Sequence, residues 1–273
     1  MPELPLFNAL MFRLDHEMKC FESWISLKPW EVEVRSRLTA GLIGELQDRI
    51  GDITFKPFGS SITGLDGPLS DIDIAIHVPA FQRVAGERGF SPRRPEAVKL
   101  IEQKLQRICE VVEDMGAFQV SEIVQAQFPL VRVVHKKSKI EFEIVSSNTE
   151  SLVADKVKDY MEEYPNLKTT FMVAKETLVS RNLHKPQYGG LSSYPLFMTL
   201  VGSFKLLQLS RNLPVHQCLL RFLNFVADLD TAQIGLSIEP PALYKKRKSP
   251  LIGSREFKQE VKEDPVGVSP WPR

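Results

Sequence analysis

Cysteine and histidine are scarce in this sequence, and neither residue type is clustered. The three cysteines among 273 residues, Cys20, Cys109 and Cys218, lie far apart and are odd in number. This pattern is typical of a reducing compartment. The five histidines are equally scattered, and no stretch has the ligand spacing of a zinc site. The sequence therefore argues against a metal centre built from cysteine or histidine.

Long apolar runs and an excess of charge are also absent. No apolar run approaches the ~20 residues needed to span a bilayer, and the N-terminus lacks the basic segment of a signal peptide. Because 35 Lys+Arg face 34 Asp+Glu, the net charge is near +1, and no global basic field attracts nucleic acid. With 43% apolar and 25% charged residues, we expect a soluble, intracellular, globular protein of one large or two ordinary domains.

Hydrophobic periodicity predicts an α/β segment, at about residues 50–145, between two helical regions. Apolar residues recur at helical spacing in some stretches and alternate with period two in others. These patterns predict helices at 6–26, 30–46, 96–115 and, in several pieces, 150–228, and strands at 53–56, 71–76, 118–120, 130–134 and 139–144. A loop is expected at 79–95, and the Pro- and Lys-rich tail from Ser237 is expected to be irregular.

The segment that carries the most chemistry lies between the first two predicted strands. Gly59 permits a tight turn, and Ser60 places a hydroxyl and an amide at a predicted helix start, where phosphate binds well. Ten residues separate Ser60 from Asp71-Ile72-Asp73. Because side chains alternate along a strand, both aspartates face one side. There they can hold one or two hard cations such as Mg²⁺, together with phosphate oxygens.

Each part of this pattern also has a plainer interpretation. An isolated Asp-x-Asp on a strand is usually a solvated face, and an isolated Gly-Ser is usually only a turn. The two parts in this order, with apolar strands beside them, favour a functional site instead. The chemistry that they predict is nucleotidyl transfer, in which a hydroxyl attacks the α-phosphate of a nucleoside triphosphate.

The stretch Phe58–Ile76 (FGSSITGLDGPLSDIDIAI) resembles the signature of the DNA-polymerase-β-like nucleotidyltransferases. Within that superfamily the chain is similar to the non-canonical poly(A) polymerases and terminal uridylyltransferases, especially those of the polymerase-sigma type. Three further stretches resemble that family: Gly-Gly-Leu-Ser-Ser-Tyr at 189–194, the helix that begins at Lys175, and Glu263-Asp264-Pro265. The resemblance covers about residues 15–265.

The resemblance implies an α/β plus α fold. Its parts are a polymerase-β-like nucleotidyltransferase lobe, which is a mixed sheet with helices, and a helical poly(A)-polymerase-associated lobe. We expect N-terminal helices over 1–50, the first packing on the helical lobe, a catalytic domain over 51–147 and a helical domain over 148–273. Because the family normally continues past Asp264-Pro265, we also expect a C-terminus that is either truncated or naturally abbreviated.

The resemblance also implies a role for each candidate site residue. The acids would bind Mg²⁺ or Mn²⁺, and the other residues would bind a nucleoside triphosphate. The implied metal ligands are Asp71, Asp73 and Glu141; the implied nucleotide contacts are Gly59, Ser60, Lys175 and Ser193 at the phosphates, Asn148 at the ribose, Tyr194 stacked on the base, and Asp264 near the base-reading segment. Taken singly, these residues are ordinary surface lysines, boundary aromatics and loop caps.

The third acid departs from the family pattern. The family usually has an aspartate between apolar residues, whereas this chain has Ile140-Glu141-Phe142-Glu143-Ile144. Matching the apolar positions selects Glu141, although Glu143 lies on the same strand face. A glutamate is one methylene longer than an aspartate, so either an active enzyme or a weakened one is compatible with this strand.

The function that we infer from the sequence is template-independent addition of AMP from ATP to RNA 3′ ends. The alternatives are a terminal uridylyltransferase, a catalytically weak relative that acts as a scaffold or nucleotide-binding subunit, and the less favoured small-molecule nucleotidyltransferase. ATP is favoured over UTP because Val179 lies where uridylyltransferases tend to have a second lysine after Lys175. Pro270 also stands near the position of the histidine that reads uracil.

The contacts to RNA are less sharply defined by the sequence. Basic residues cluster at Arg83–Arg94, at Lys136, Lys137 and Lys139, and at Lys245–Lys248, and a few phosphate contacts suffice for a primer. Without an RNA-binding motif in the chain, we expect an RNA-binding partner protein to add affinity. The run at Lys245 is also typical of a nuclear signal, so we expect the nucleus or the cytoplasm, with the nucleus favoured.

Overall fold

The computed structural model describes residues 3–77, 95–124, 129–146, 150–184 and 190–246. These residues form two compact units. One unit comprises residues 25–158, and the other combines residues 1–24 with the described part of 159–273. The units are thus divided at residues 24 and 158, whereas the sequence led us to expect domain boundaries at 50 and 147. In the described ranges, no helix has both the length and the apolar character needed to cross a membrane.

The unit of residues 25–158 is built on a five-stranded mixed sheet of order β1-β2-β5-β4-β3. Strands β2 and β5 are parallel, and the other neighbours are antiparallel. The strands are β1 (Thr54–Phe58), β2 (Ile72–His77), β3 (Phe118–Val124), β4 (Leu130–His135) and β5 (Glu141–Ser146). The predicted hairpin of β4 and β5 is confirmed, and β3 continues four residues beyond its predicted end.

One face of this sheet forms the core with α2 (Pro29–Arg49) and α4 (Pro95–Asp114). The period-two alternation of β2 places its isoleucines on that face, where each is at most 1% exposed. The neighbouring strands contribute Phe142, Ile144, Val131 and Val133, all fully buried. Because alternate residues point the other way, the acidic residues of β2 and β5 lie on the opposite face. The expected loop at 79–95 falls almost wholly outside the described residues.

The other unit is mostly helical, as the sequence predicts. Its helices are α1 (Glu3–Ile25, up to residue 24), the end of α5 (Glu150–Glu163), α6 (Leu167–Val179), α7 (Ser193–Leu206) and α8 (Val215–Asp228). Helix α7 is its centre, since every residue from 196 to 204 is buried. Polar contacts join helix α1 to this unit: Asp15 accepts a hydrogen bond from the backbone N–H of His216, and Glu22 accepts one from Thr169 and pairs with Lys168.

The prediction of an irregular tail from Ser237 is wrong for residues 237–245. Strands β6 (Ile234–Ile238) and β7 (Pro241–Lys245) form an antiparallel hairpin with a two-residue turn at Glu239-Pro240. The prolines that suggested irregularity lie in the turn and at the first position of a strand, where proline costs no ladder hydrogen bond. Apolar alternation continues through Leu236, which is fully buried.

Candidate active site

A glycine turn at the end of β1 forms one wall of the site. Gly59 has φ +73° and ψ −148° and precedes the short helix α3 (Ser60–Thr63). A Cβ added to Gly59 would lie 2.1 Å from Oδ2 of Asp73. The carboxylate of Asp73 therefore occupies the space beside the glycine Cα, and only glycine permits both this close approach and this φ. The sequence predicted the turn but not its contact with the acid.

The hydroxyl groups of this turn differ in their availability. Ser61 Oγ donates a hydrogen bond to the carbonyl of Phe58 over 3.0 Å, and Thr63 Oγ1 donates one to the carbonyl of Ser60 over 3.2 Å. The Ser60 hydroxyl makes no hydrogen bond with the described residues. Ser60, the candidate predicted from the sequence, is thus the residue of this turn whose hydroxyl can serve a ligand.

The two aspartates lie at the start of β2. Asp73 is held within the sheet, opposite Phe58 of β1 and Glu143 of β5. Asp71 precedes the first strand residue, Ile72, and its side chain is exposed. Because Ile72 is buried on the core face, the two aspartates on either side of it face away from the core, as predicted.

The acids on β5 differ in their partners. Glu143 Oε1 accepts a hydrogen bond from Arg132 Nε over 2.8 Å, and the same arginine pairs with Glu122 over 2.6 Å. The hydrogen bond to Glu143 is the main cause that raises the pKa of Arg132 above its ordinary value. Glu141 is exposed and has no ion pair with any described residue. Glu141 is thus the glutamate of β5 whose charge no basic side chain offsets.

These acids share one face of two parallel strands. Since Ile72 pairs with Phe142, Asp71 and Glu141 both stand one residue before that pair. Mg²⁺ prefers carboxylate oxygens as ligands, so Asp71, Asp73 and Glu141 fit a hard cation. The absence of a Cβ at Gly59 supports this fit, because it leaves room for the Asp73 carboxylate. Within the described ranges, no three acidic, histidine or cysteine side chains already converge as a metal site.

The predicted nucleotide contacts Lys175, Ser193 and Tyr194 lie far from these acids in the sequence and belong to the helical unit. Lys175 is half-buried on α6 and has no ion pair among the residues described. Ser193 is exposed at the first position of α7, and Tyr194 follows it, half-buried. Burial raises the pKa of the Tyr194 hydroxyl, which therefore stays neutral. Asn148 and Asp264 lie outside the described residues.

Sequence reasoning missed one residue beside the site. Arg35, on α2, is only 6% exposed and bonds the backbone just before β2. The sequence did contain a signal for Arg35, because it is in helical register with the apolar stripe of α2. A charged residue on a buried helix face needs a partner.

The comparisons with known proteins fit this geometry. The family model described as "Poly(A) RNA polymerase, mitochondrial-like, central palm domain" matches residues 14–157, which is more than half of the chain. The chain belongs to this family. The sequence-based assignment to the poly(A) polymerase group is therefore confirmed, and the acids and glycine turn described above lie within the matched palm domain.

Two relatives show how far the palm-domain family resembles this chain. "Poly(A) RNA polymerase gld-4" of Caenorhabditis elegans is 27% identical over 241 residues, covering 82% of this chain and 26% of the relative. "Inactive non-canonical poly(A) RNA polymerase protein Trf4-2" of Drosophila melanogaster is 26% identical over 269 residues, covering 93% of this chain and 61% of the relative. The chain thus spans about a quarter and about three-fifths of their lengths.

Solved structures confirm the predicted fold class. The polymerase core of TRAMP, "a RNA surveillance complex", matches with a TM-score of 0.69 at 18% identity, covering 86% of this chain and 72% of that one. The Cid1 poly(U) polymerase with bound MgGTP also matches with a TM-score of 0.69, at 14% identity, covering 94% of this chain and 89% of that one. This chain shares their α/β plus α architecture.

Proposed function

We propose that this chain is the catalytic part of a template-independent RNA 3′-nucleotidyltransferase that adds AMP from ATP. The observation that carries the proposal is the contact between Gly59 and Asp73. The turn adopts a backbone conformation suited to glycine and holds the Asp73 carboxylate against Gly59, the residue that precedes Ser60. A cation ligand thus contacts the residue next to a candidate phosphate-binding hydroxyl, an arrangement that suits a metal–triphosphate complex.

The metal would be held by Asp71, Asp73 and Glu141, with Mg²⁺ or Mn²⁺ as the ion. When bound, such a cation neutralises charge on the reacting phosphate and orients the oxygens that attack and leave. The structure of the Cid1 poly(U) polymerase with bound MgGTP supports the choice of ion. Glu141 is preferred over Glu143 because Arg132 already neutralises Glu143.

The protein residues have defined tasks in the reaction. The 3′ hydroxyl oxygen of the RNA forms a bond to the α-phosphorus of ATP. The bond between the α-phosphorus and the oxygen that bridges it to the β-phosphorus breaks, and pyrophosphate leaves. Glu141 accepts the proton of the attacking hydroxyl; it is exposed and, unlike Glu143, has no basic partner among the described residues. Ser60 donates a hydrogen bond to the triphosphate. Positioning and charge neutralisation supply most of the catalysis in transfers of this kind.

The helical unit would supply the remaining nucleotide contacts. Lys175, which no described acid neutralises, suits the β- and γ-phosphates. The exposed hydroxyl of Ser193 would bind the same phosphates, and Tyr194 would stack on the base. Family resemblance supports Asn148 at the ribose and Asp264 near the base.

The RNA primer would contact the turn between β4 and β5. Lys136, Lys137 and Lys139 are exposed there and have no acidic partner in the described ranges. Within the turn, His135 Nδ1 contacts Ser138 Oγ over 2.8 Å. The turn leads directly into Glu141. Because Glu141 is one of the proposed metal ligands, RNA phosphates bound by the turn would lie near the reacting 3′ end.

Protein partners and location complete the proposal. Similar folds occur in the polymerase core of TRAMP and in a GLD-2/RNP-8 complex, the latter with a TM-score of 0.70. These complexes support a partner protein that adds RNA affinity. We place the enzyme inside the cell, in the nucleus or the cytoplasm, as the basic run from Lys245 suggests.

Incubation with single nucleotides tests this proposal. The purified chain is mixed with a labelled oligoribonucleotide, Mg²⁺ or Mn²⁺, and ATP, UTP, GTP or CTP alone. We expect a ladder of extended products with ATP. Replacing the oligoribonucleotide by a free nucleoside acceptor should abolish product, and efficient transfer to that acceptor would support a small-molecule enzyme instead.

A catalytically weak scaffold is a second candidate, and two observations favour it. Glu141 stands where the family usually has aspartate, and a relative that matches 93% of the chain is named inactive. This candidate predicts that ATP with Mg²⁺ raises the melting temperature of the chain while no RNA is extended. Extension by the purified chain eliminates it.

A further inference from the structure

Asp71 is positioned differently from Asp73. Pairing of β2 with β1 reaches Asp73, and pairing of β2 with β5 begins at Ile72. Asp73 is therefore fixed on both sides by the sheet. Asp71 precedes these pairs, so the sheet alone does not define where its backbone lies.

Arg35 supplies the missing constraint. Its Nη2 donates hydrogen bonds to the carbonyl of Ser70 and, over 3.3 Å, to the carbonyl of Asp71. Its Nε lies 3.6 Å from Oδ2 of Asp66, which is itself buried. A single guanidinium thus contacts the segment 66–71 at three points, all just before β2.

An arginine suits this task better than any other residue. Its planar group has five donors in a fixed arrangement and keeps its charge when buried. A buried ion pair is weak evidence of a role in stability, because desolvation offsets much of the attraction. The buried Arg35–Asp66 pair is therefore better explained by the backbone that it orients.

We propose that Arg35 is a positioning residue that fixes Asp71 as a metal ligand, through the carbonyl groups of Ser70 and Asp71. This inference rests on the proposed function, because it assumes that Asp71 binds the cation. Replacing a residue that orients a metal ligand without touching the metal typically weakens metal affinity 10- to 100-fold.

The test measures Mn²⁺ binding by isothermal titration calorimetry, without nucleotide or RNA. Arg35→Lys keeps the charge but loses the planar group. Arg35→Met combined with Asp66→Asn removes both buried charges, so that neither is left without its partner. Arg37→Met is the matched control, because Arg37 lies two residues further along α2 in an exposed pair with Glu33. Circular dichroism verifies the fold of each variant.

We expect Arg35→Lys and the double variant to bind Mn²⁺ about tenfold or more weakly, while Arg37→Met binds as the wild type does. In an Asp71→Asn background, Arg35→Lys should cause no further loss, because the ligand it positions is already absent. A folded double variant with wild-type affinity would overturn the positioning role alone. A wild-type chain that binds no Mn²⁺ would overturn both this inference and the proposed metal site.

Discussion

At the scale of single residues, the site depends on a carboxylate that lies against a glycine. Gly59 and Gly64 both have a positive φ, close to +70°. Only Gly59 has the Asp73 carboxylate in the space of a Cβ, whereas nothing lies within 4 Å of that space at Gly64. Gly64 therefore serves as the control for a Cβ at positive φ that displaces no acid.

Gly59→Ala should abolish RNA extension, and Gly64→Ala should retain it. Alanine at Gly64, which is in the left-handed helical region, should cost about 1–2 kcal/mol. Alanine at Gly59, whose φ and ψ lie in a region essentially restricted to glycine, should cost about 1–3 kcal/mol, and only this substitution pushes Asp73 out of place. Urea denaturation measures the strain, and the rate of extension with ATP measures the site. Equal activity of the two variants would show that the contact between Gly59 and Asp73 has no catalytic importance.

The two glutamates of β5 should behave differently. Glu141→Ala should lower turnover at least about 100-fold, the usual contribution of a general base, whereas Glu141→Asp should retain or improve it. Glu143→Ala should leave turnover within about tenfold, and its main effect should be a loss of ~0.5–1 kcal/mol of stability as Arg132 loses a partner. Initial rates with saturating ATP give the ranking, and the reverse order would transfer the catalytic role to Glu143.

Much of this site is predictable from the pattern of residues. Strand alternation alone places Asp71 and Asp73 on the face opposite the core. The same alternation cannot separate Glu141 from Glu143, because residues two apart share a face; the difference comes from Arg132 on the neighbouring strand. Arg35 is missed for a similar reason, since its partners are 31 to 36 residues away in the sequence.

Among the helices, α1 and α8 are in contact although 201 residues separate the two that meet, Asp15 and His216. Asp15 Oδ1 accepts a hydrogen bond from the backbone N–H of His216 over 2.7 Å and contacts its ring Nδ1 over 2.8 Å. His216 is the second residue of α8, so its N–H has no partner within the helix. Asp15 thus caps α8 from α1, and its negative charge suits a helix N-terminus.

Asp15→Ala should destabilise the chain by about 1–3 kcal/mol, because it leaves a partly buried N–H without an acceptor. Arg13→Ala is the control from the same helix, since Arg13 forms an exposed pair with Glu17 and should cost less than ~1 kcal/mol. Denaturant unfolding followed by circular dichroism measures both. Equal stability of the two variants would contradict the capping role.

The helices and the main sheet were more predictable than the C-terminal hairpin. Long periodic stretches such as α1 and α4 determine their own structure through an apolar stripe. The hairpin of β6 and β7 is short, and its prolines resemble those of an irregular tail. It forms because Leu236 is buried against α7, where the side chain approaches Gly202. Only the tertiary contact reveals this hairpin.

At the scale of the whole molecule, the implied nucleotide contacts are shared between the two units. The acids belong to residues 25–158, whereas Lys175, Ser193 and Tyr194 belong to the helical unit. Composition and periodicity give no reason to link these groups. Only the resemblance to a family makes that link, which stays a prediction; the family match over residues 14–157 includes the acids but not Lys175, Ser193 or Tyr194.

Nucleotide choice should favour ATP over UTP, by no more than about tenfold, or ~1.4 kcal/mol. The proposed stacking on Tyr194 would accept either base, and strong discrimination needs groups that pair with a base edge. Val179, one turn after Lys175, supplies no second positive charge for the triphosphate. Initial rates with each nucleotide at equal concentration decide the matter, and faster incorporation of UTP would promote the uridylyltransferase alternative.

We propose above all that the sheet face with Asp71, Asp73 and Glu141 carries out nucleotidyl transfer to RNA. The most direct measurement follows label from α-³²P-ATP into the 3′ end of an oligoribonucleotide in the presence of Mn²⁺. Wild type, Asp73→Asn and the control Asp48→Asn, which changes an exposed acid of α2, are compared after verification of their folds. We expect incorporation by wild type and Asp48→Asn and none by Asp73→Asn. Incorporation by Asp73→Asn at the wild-type rate, or none by the folded wild type, would rule out the proposed metal site.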